Sequence, residues 1–261
     1  FATLTLFRDT GETSPTKLEP GMLSWKTTRI ICTVLLLLPI VHLAYLVSRE
    51  ALATLNPSPD VWSKELTAYT RADRNRELPS RPVVVVGGRR VNLWRSLEEV
   101  LDEPVLMRGL GDEIIEDITY NFNALIGFYR PGAVVLLPGN SEFHIRDNKS
   151  ADELLAAVQE LEAIDAARED TGRFYVFAPI KTPLYPGDYG KIDRARELLD
   201  SWADANSRVE VLDSNTMLAD DHGQPRARYF LNDGVNLNEH GYLRLAVLLE
   251  SALAATDTSG S

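Results

Sequence analysis

The stretch Arg81-Pro-Val-Val-Val-Val-Gly-Gly-Arg-Arg-Val-Asn-Leu-Trp94 sets the architecture of the chain around it. An unbroken valine run reads as a strand buried on both faces, the kind found inside a parallel sheet. The glycine pair after it makes a tight turn, and a helix is expected to begin near Val91, with Arg89 and Arg90 beside its start. In open α/β sheets, ligands and catalytic groups collect at the carboxyl ends of such strands. Gly87 to Arg90 is therefore the first candidate site.

On the C-terminal side the pattern alternates. Strands are expected at Val83–Val86, Pro104–Met107, Ala133–Leu137, Arg173–Ala178 and Arg208–Leu212. Between them, apolar residues recur at helical spacing: Ile114 to Tyr129 with Ile118, Phe122 and Leu125; Leu154 to Ile164; Ile192 to Trp202. Ser150 and Glu153 form a capping box. A last helix carrying Leu245, Leu248, Leu249 and Ala252 ends the domain before a polar tail, 256–261. Five strands alternating with helices predict an α/β, three-layer α/β/α domain with a five-stranded parallel sheet over 58–255.

On the N-terminal side, Ser58-Pro59 is a helix start, and Val61, Trp62, Leu66 and Tyr69 share one face of a short amphipathic helix. Further back, Ile30 to Val47 contains no charged residue. At ~1.5 Å per residue this run spans roughly 27 Å, close to the thickness of a bilayer core. We expect a transmembrane helix over 30–47, a disordered cytoplasmic segment over 1–29 and a linker over 48–57. Trp25 and Tyr45 are placed as interface aromatics. Lys26 and Arg29 precede the run, while Arg49 is offset by Glu50, which favours an N-in, C-out anchor in the cell (inner) membrane with the domain on the extracytoplasmic, periplasmic side. The alternatives are a cleaved signal peptide with Ala51-Leu52-Ala53 as its small-residue site, and a buried core helix. Phe1 is not an initiator; Met22 is a plausible start.

Composition narrows the function. The chain has 261 residues and a formal net charge of -11, which excludes a sequence-independent nucleic-acid binder. Cys32 is the only cysteine, and the four histidines show no ligand spacing, so neither a metal nor a cofactor is expected.

Four segments resemble the SGNH (GDSL-like) hydrolases, esterases and acylhydrolases with a flavodoxin-like fold. Val83–Trp94 is similar to that family's first block, a strand followed in one branch by Gly-Ser-Ser-Ser-Ile-Arg-Leu-Trp. Val105–Asp112 (VLMRGLGD) is similar to VLNRGFGG, Ala133–Glu142 (AVVLLPGNSE) to VVLYAGDND, and Leu231–Tyr242 (LNDGVNLNEHGY) to DGLHLNxxGY. The resemblance implies a serine nucleophile in the first block, an oxyanion site from a glycine amide and an asparagine, and an Asp-x-x-His base. The chemistry needs these types: a neutral hydroxyl needs an imidazole to take its proton, and donors must be aimed at the developing oxyanion.

Carried over position by position, the nucleophile falls on Arg89, the glycine on Asp112, the asparagine on Ser141 and the base on Asn236. Only Asp233 matches, and without a histidine it is expected to orient nothing. Loss of nucleophile and base together removes the mechanism. Arg89 is expected to pair with Asp112 or Glu142. Alternatively Arg89, Arg90 and Arg108, near the ends of the first two strands, form an anion site.

Two function classes follow. One is a membrane-anchored, catalytically inactive domain that binds a small-molecule or envelope ligand or scaffolds a protein partner. The other is an ester hydrolase with a rebuilt site, using Ser141 with His144 or His240.

Overall fold

The computed structural model describes residues 24–54, 58–144, 146–168, 170 and 172–259, and the chain divides into two compact units, 1–50 and 51–261. In the first, helix α1 (Trp25–Thr54) contains Pro39. Its 24 residues Trp25–Ser48 are long and apolar enough to cross a membrane, and none of that window is buried within the chain. This exposure speaks against the buried-core-helix alternative. The helix starts five residues before the apolar run and continues to Thr54, through most of the expected linker, because Glu50-Ala51-Leu52-Ala53 offers only good helix formers. Residues 1–23, with Met22, lie outside the described residues.

The second unit begins with a 3-10 turn, Pro59–Trp62, capped by Ser58, which leads into α2 (Ser63–Asp73). Then strand and helix alternate: β1 (Val83–Gly87), α3 (Arg89–Leu93), α4 (Leu97–Val100), β2 (Val105–Gly109), α5 (Ile115–Tyr120), α6 (Phe122–Leu125), β3 (Ala133–Leu137), α7 (Ala151–Ala166), β4 (Arg173–Phe177), α8 (Tyr189–Asp204), β5 (Val209–Leu212), α9 (Ser214–Leu218) and α10 (Glu239–Ser259). All five strands are parallel, in the order β2-β1-β3-β4-β5. The expected strands are each found to within one residue at either end, apart from β2, which runs on to Gly109.

Two corrections stand out. The apolar stripe from Ile114 to Tyr129 is not one helix but α5, α6 and a 3-10 turn, Gly127–Tyr129. Asn121 Nδ2 donates back to Asp117 O at 2.9 Å, the side-chain competition with the backbone that interrupts helices. The last helix runs to Ser259, into the expected polar tail.

Alternating side chains build two cores. Val84, Val86, Leu106, Leu136 and Phe174 pack beneath α5, α7 and α8. Val83, Val85, Val135, Leu137 and Phe177 pack against Trp94, Leu97 and α10 on the other face. The sheet is covered on both sides, as a continuous valine strand requires.

The strand order changes direction between β1 and β3, which leave a crevice at their carboxyl ends. Gly87 makes this turn possible. Its φ is +151°, and a Cβ there would lie 2.4 Å from Leu137 O, so only glycine fits.

Candidate functional site

A cleft of about 250 Å³ opens at the switch point between β1 and β3. Arg89 and Arg90 enter from α3, Asn140 and Ser141 from the 3-10 turn Asn140–Glu142 after β3, and Asp233, Val235 and Asn236 from the segment before α10. His144, Leu184 and Tyr185 form the opposite wall.

The α3 turn is held from behind. Trp94 is buried, stacks on Tyr242 (5.7 Å between ring centroids) and meets Phe177 edge-on. Tyr242 OH donates to Arg90 O at 2.9 Å. Aromatic packing thus anchors the short helix from which Arg89 projects into the cleft.

Arg89 forks onto Asp112, Nε to Oδ1 at 3.2 Å and Nη2 to Oδ2 at 2.9 Å. The hydrogen bond and charge of Asp112 raise the Arg89 pKa above its ordinary value. Of the two carboxylates proposed for Arg89, Asp112 is the partner. Glu142 is turned inward, accepting from Ile115 N at 2.9 Å and Lys149 Nζ at 2.7 Å.

Asp233 does orient a side chain, contrary to expectation. Its Oδ1 accepts from the amides of Val235 and Asn236, and its Oδ2 accepts from Asn236 Nδ2 at 2.6 Å. Burial works upward on this carboxyl, but those donors, aided by Arg89, hold it below its ordinary value. Asp233 thus holds the Asn236 side chain three residues on, and an amide takes no proton at neutral pH.

Arg90 forms the floor. It is 3% exposed and donates from Nη2 to Asn140 Oδ1 at 2.6 Å and Val235 O at 3.3 Å, and from Nη1 to Pro138 O at 3.4 Å. Burial pushes it down to about 10, against the charges of Tyr242 and Asp233, so it stays protonated at neutral pH.

The remaining candidates separate. Ser141 is buried and His144 shares its cleft. His144 Nε2 is bonded to Asp188, and its ring stacks on Tyr185 at 4.0 Å. Among the described residues no hydrogen bond joins Ser141 to His144. His240 lines two other surface depressions, beside Leu243 and beside Leu231, rather than this cleft. Arg108 is not a cleft residue either. Strand alternation puts it on the face of Leu106, where it is buried against Asp73 (2.8 and 3.0 Å) and Tyr129 OH (2.9 Å).

Sequence reasoning missed Asn140, although it directly precedes Ser141 in a motif already under scrutiny. It also missed Tyr185 and Asp188, for which no local signal exists. Among the described residues no group of acidic, histidine or cysteine side chains could hold a metal ion.

No protein-family model matches the chain, and no curated protein matches it. Solved structures do. A proposed platelet activating factor from Streptococcus pneumoniae superposes with a TM-score of 0.65 at 18% identity, over 82% of this chain and 99% of that one. A proposed acylhydrolase from Bacteroides fragilis gives 0.61 at 17% identity, covering 73% and 97%. A GDSL-like lipase from Bacteroides thetaiotaomicron gives 0.59 at 14% identity, covering 73% and 98%. With the parallel sheet and the switch-point cleft, these likenesses establish that the domain has the SGNH-hydrolase-like α/β/α fold.

Proposed function

We propose that this protein is a membrane-anchored SGNH-like domain that binds a small envelope ligand in the switch-point cleft without hydrolysing it. The observation that carries this reading is the Arg89–Asp112 fork at the nucleophile turn. A guanidinium cannot attack a carbonyl, and Asn236 in the base position cannot accept a proton. The cleft is nonetheless open and lined by charged and polar residues, which favours a ligand over a purely scaffolding role. The exposed apolar helix α1 supports the anchor, and Lys26 and Arg29 in its first turns, ahead of the uncharged run, support an extracytoplasmic domain.

One observation favours a second reading, an ester hydrolase with a rebuilt site. Ser141 and His144 line the same cleft, and Asp188 fixes the His144 ring through Nε2. The two readings separate in an assay of short-chain aryl esters with the full chain in detergent. The binding reading expects release no faster than buffer at any protein concentration. Release proportional to protein and abolished by Ser141→Ala would replace it with the second.

A further inference from the structure

We infer that the ligand of this cleft is a small monocarboxylate, its acid group seated on Arg90 and Asn140. The inference rests on the binding reading above and adds the chemistry of what is bound.

Arg90, Arg108 and Lys149 are each 3% exposed. Arg108 has Asp73 at 2.8 Å, and Lys149 has Glu142 at 2.7 Å. Among the described residues, Arg90 has no carboxylate at salt-bridge distance; its three acceptors are a side-chain amide and two backbone carbonyls. Burying a charge without a counterion costs several kcal/mol, which is why buried cations are paired. Arg90 is the exception, and it lines an open cleft.

A second observation falls beside it. Asn140 Oδ1 accepts from Arg90 Nη2, and its Nδ2 is buried with no hydrogen-bond partner. The same residue thus presents an unused donor next to the unneutralised guanidinium. Neither carboxylate of the cleft can supply what is missing. Asp112 is engaged by Arg89, and Asp233 already accepts from Val235 and Asn236 and lies beyond salt-bridge distance of Arg90.

Charge and shape then narrow the ligand. Arg89 and Arg90 face Asp112 and Asp233, so the cleft balances to zero and accepts one negative charge more readily than two. A planar carboxylate matches the guanidinium fork, whereas a phosphate dianion would meet both aspartates. Leu184 and Tyr185 offer an apolar wall for the remainder of the molecule.

The test is calorimetric titration of the full chain in detergent with acetate, butyrate and benzoate, against butyramide and inorganic phosphate. At least one carboxylate should saturate by about 10 mM, where a Kd of about 1 mM leaves roughly nine-tenths of sites filled. Butyramide and phosphate should bind at least about tenfold more weakly. Arg90→Met should weaken the carboxylate at least about tenfold, since its counter-charge is gone. If Arg90→Met does not fold, Asn140→Ala decides, with an expected loss of roughly threefold or more. No saturation by any of the three carboxylates, unchanged affinity in the folded variants, or tighter binding of phosphate would each overturn the inference. Such failure with no aryl-ester hydrolysis leaves the non-hydrolytic reading standing, whereas hydrolysis removes that reading whatever the carboxylates do.

Discussion

The Arg89 guanidinium and the Asp112 carboxylate close on each other across the ends of β1 and β2, with two parallel contacts of 3.2 and 2.9 Å. If these are the nucleophile and oxyanion positions, as the proposed function has it, the two departures from the hydrolase pattern are one structural event. An arginine alone would leave a charge at the turn, and an aspartate alone would repel an oxyanion. Together they neutralise each other at the mouth of the cleft. Because Arg89 is 58% exposed at its side chain, solvent screens the pair. A double-mutant cycle with Arg89→Ala and Asp112→Ala should give a coupling of at most about 1 kcal/mol in denaturant unfolding.

Arg108 and Asp73 should behave in the opposite way. Both side chains are nearly inaccessible, at 4% and 6%, and Tyr129 OH donates to the same carboxylate at 2.6 Å. Arg108→Met should cost about 3–5 kcal/mol by stranding Asp73. Adding Asp73→Leu should recover most of that loss. Thermal unfolding of the single and double variants checks both, and neither change should alter ligand binding in the cleft.

Stability should depend on Glu113. This residue is 2% exposed and packs against Gly88 beneath the Arg89 turn. Burial, reinforced by the charge of Glu142, pushes its carboxyl well above the ordinary value. Below the unfolded-chain value both states hold the proton and its full contribution is present. As pH rises past that value the unfolded chain releases its proton first, so stability falls until the folded carboxyl also ionises. Glu113→Gln should raise Tm at pH 7 and above, and flatten the decline between the ordinary carboxylate range and neutrality. A Tm-against-pH profile parallel to the parent's would contradict this.

Gly87→Ala should destabilise the domain severely. The positive φ costs roughly 1–3 kcal/mol for a residue with a side chain, and the new methyl would press on Leu137 O and Val91 at 2.4 and 2.8 Å. Urea unfolding should show a large drop in midpoint.

Much of this was legible in the chain before any coordinates. Strand positions, the parallel sheet and the Ser150 cap follow from periodicity, alternation and local chemistry, which β1 and α7 obey. The pairing of Arg89 was legible because its partner sits at the end of the neighbouring strand. The tertiary placements were not. Arg108 belongs to the opposite face because strand alternation outranks its nearness to the strand end. Asp188 reaches His144 across a separation of 44 residues, and no spacing rule forecasts that meeting. Asn140 was overlooked because its importance comes from Arg90, 50 residues away.

In the proposed reading, Arg89 leaves the turn after β1 without a nucleophile and no other residue replaces it. Activated serines are alkylphosphorylated by fluorophosphonates, whereas unactivated ones are not, since reaction requires a base to draw off the hydroxyl proton. Intact-mass spectrometry of the full chain after prolonged fluorophosphonate treatment should show the unmodified mass. A stoichiometric adduct mapping to Ser141, lost when His144 is changed to alanine, would contradict the account and make this domain a hydrolase.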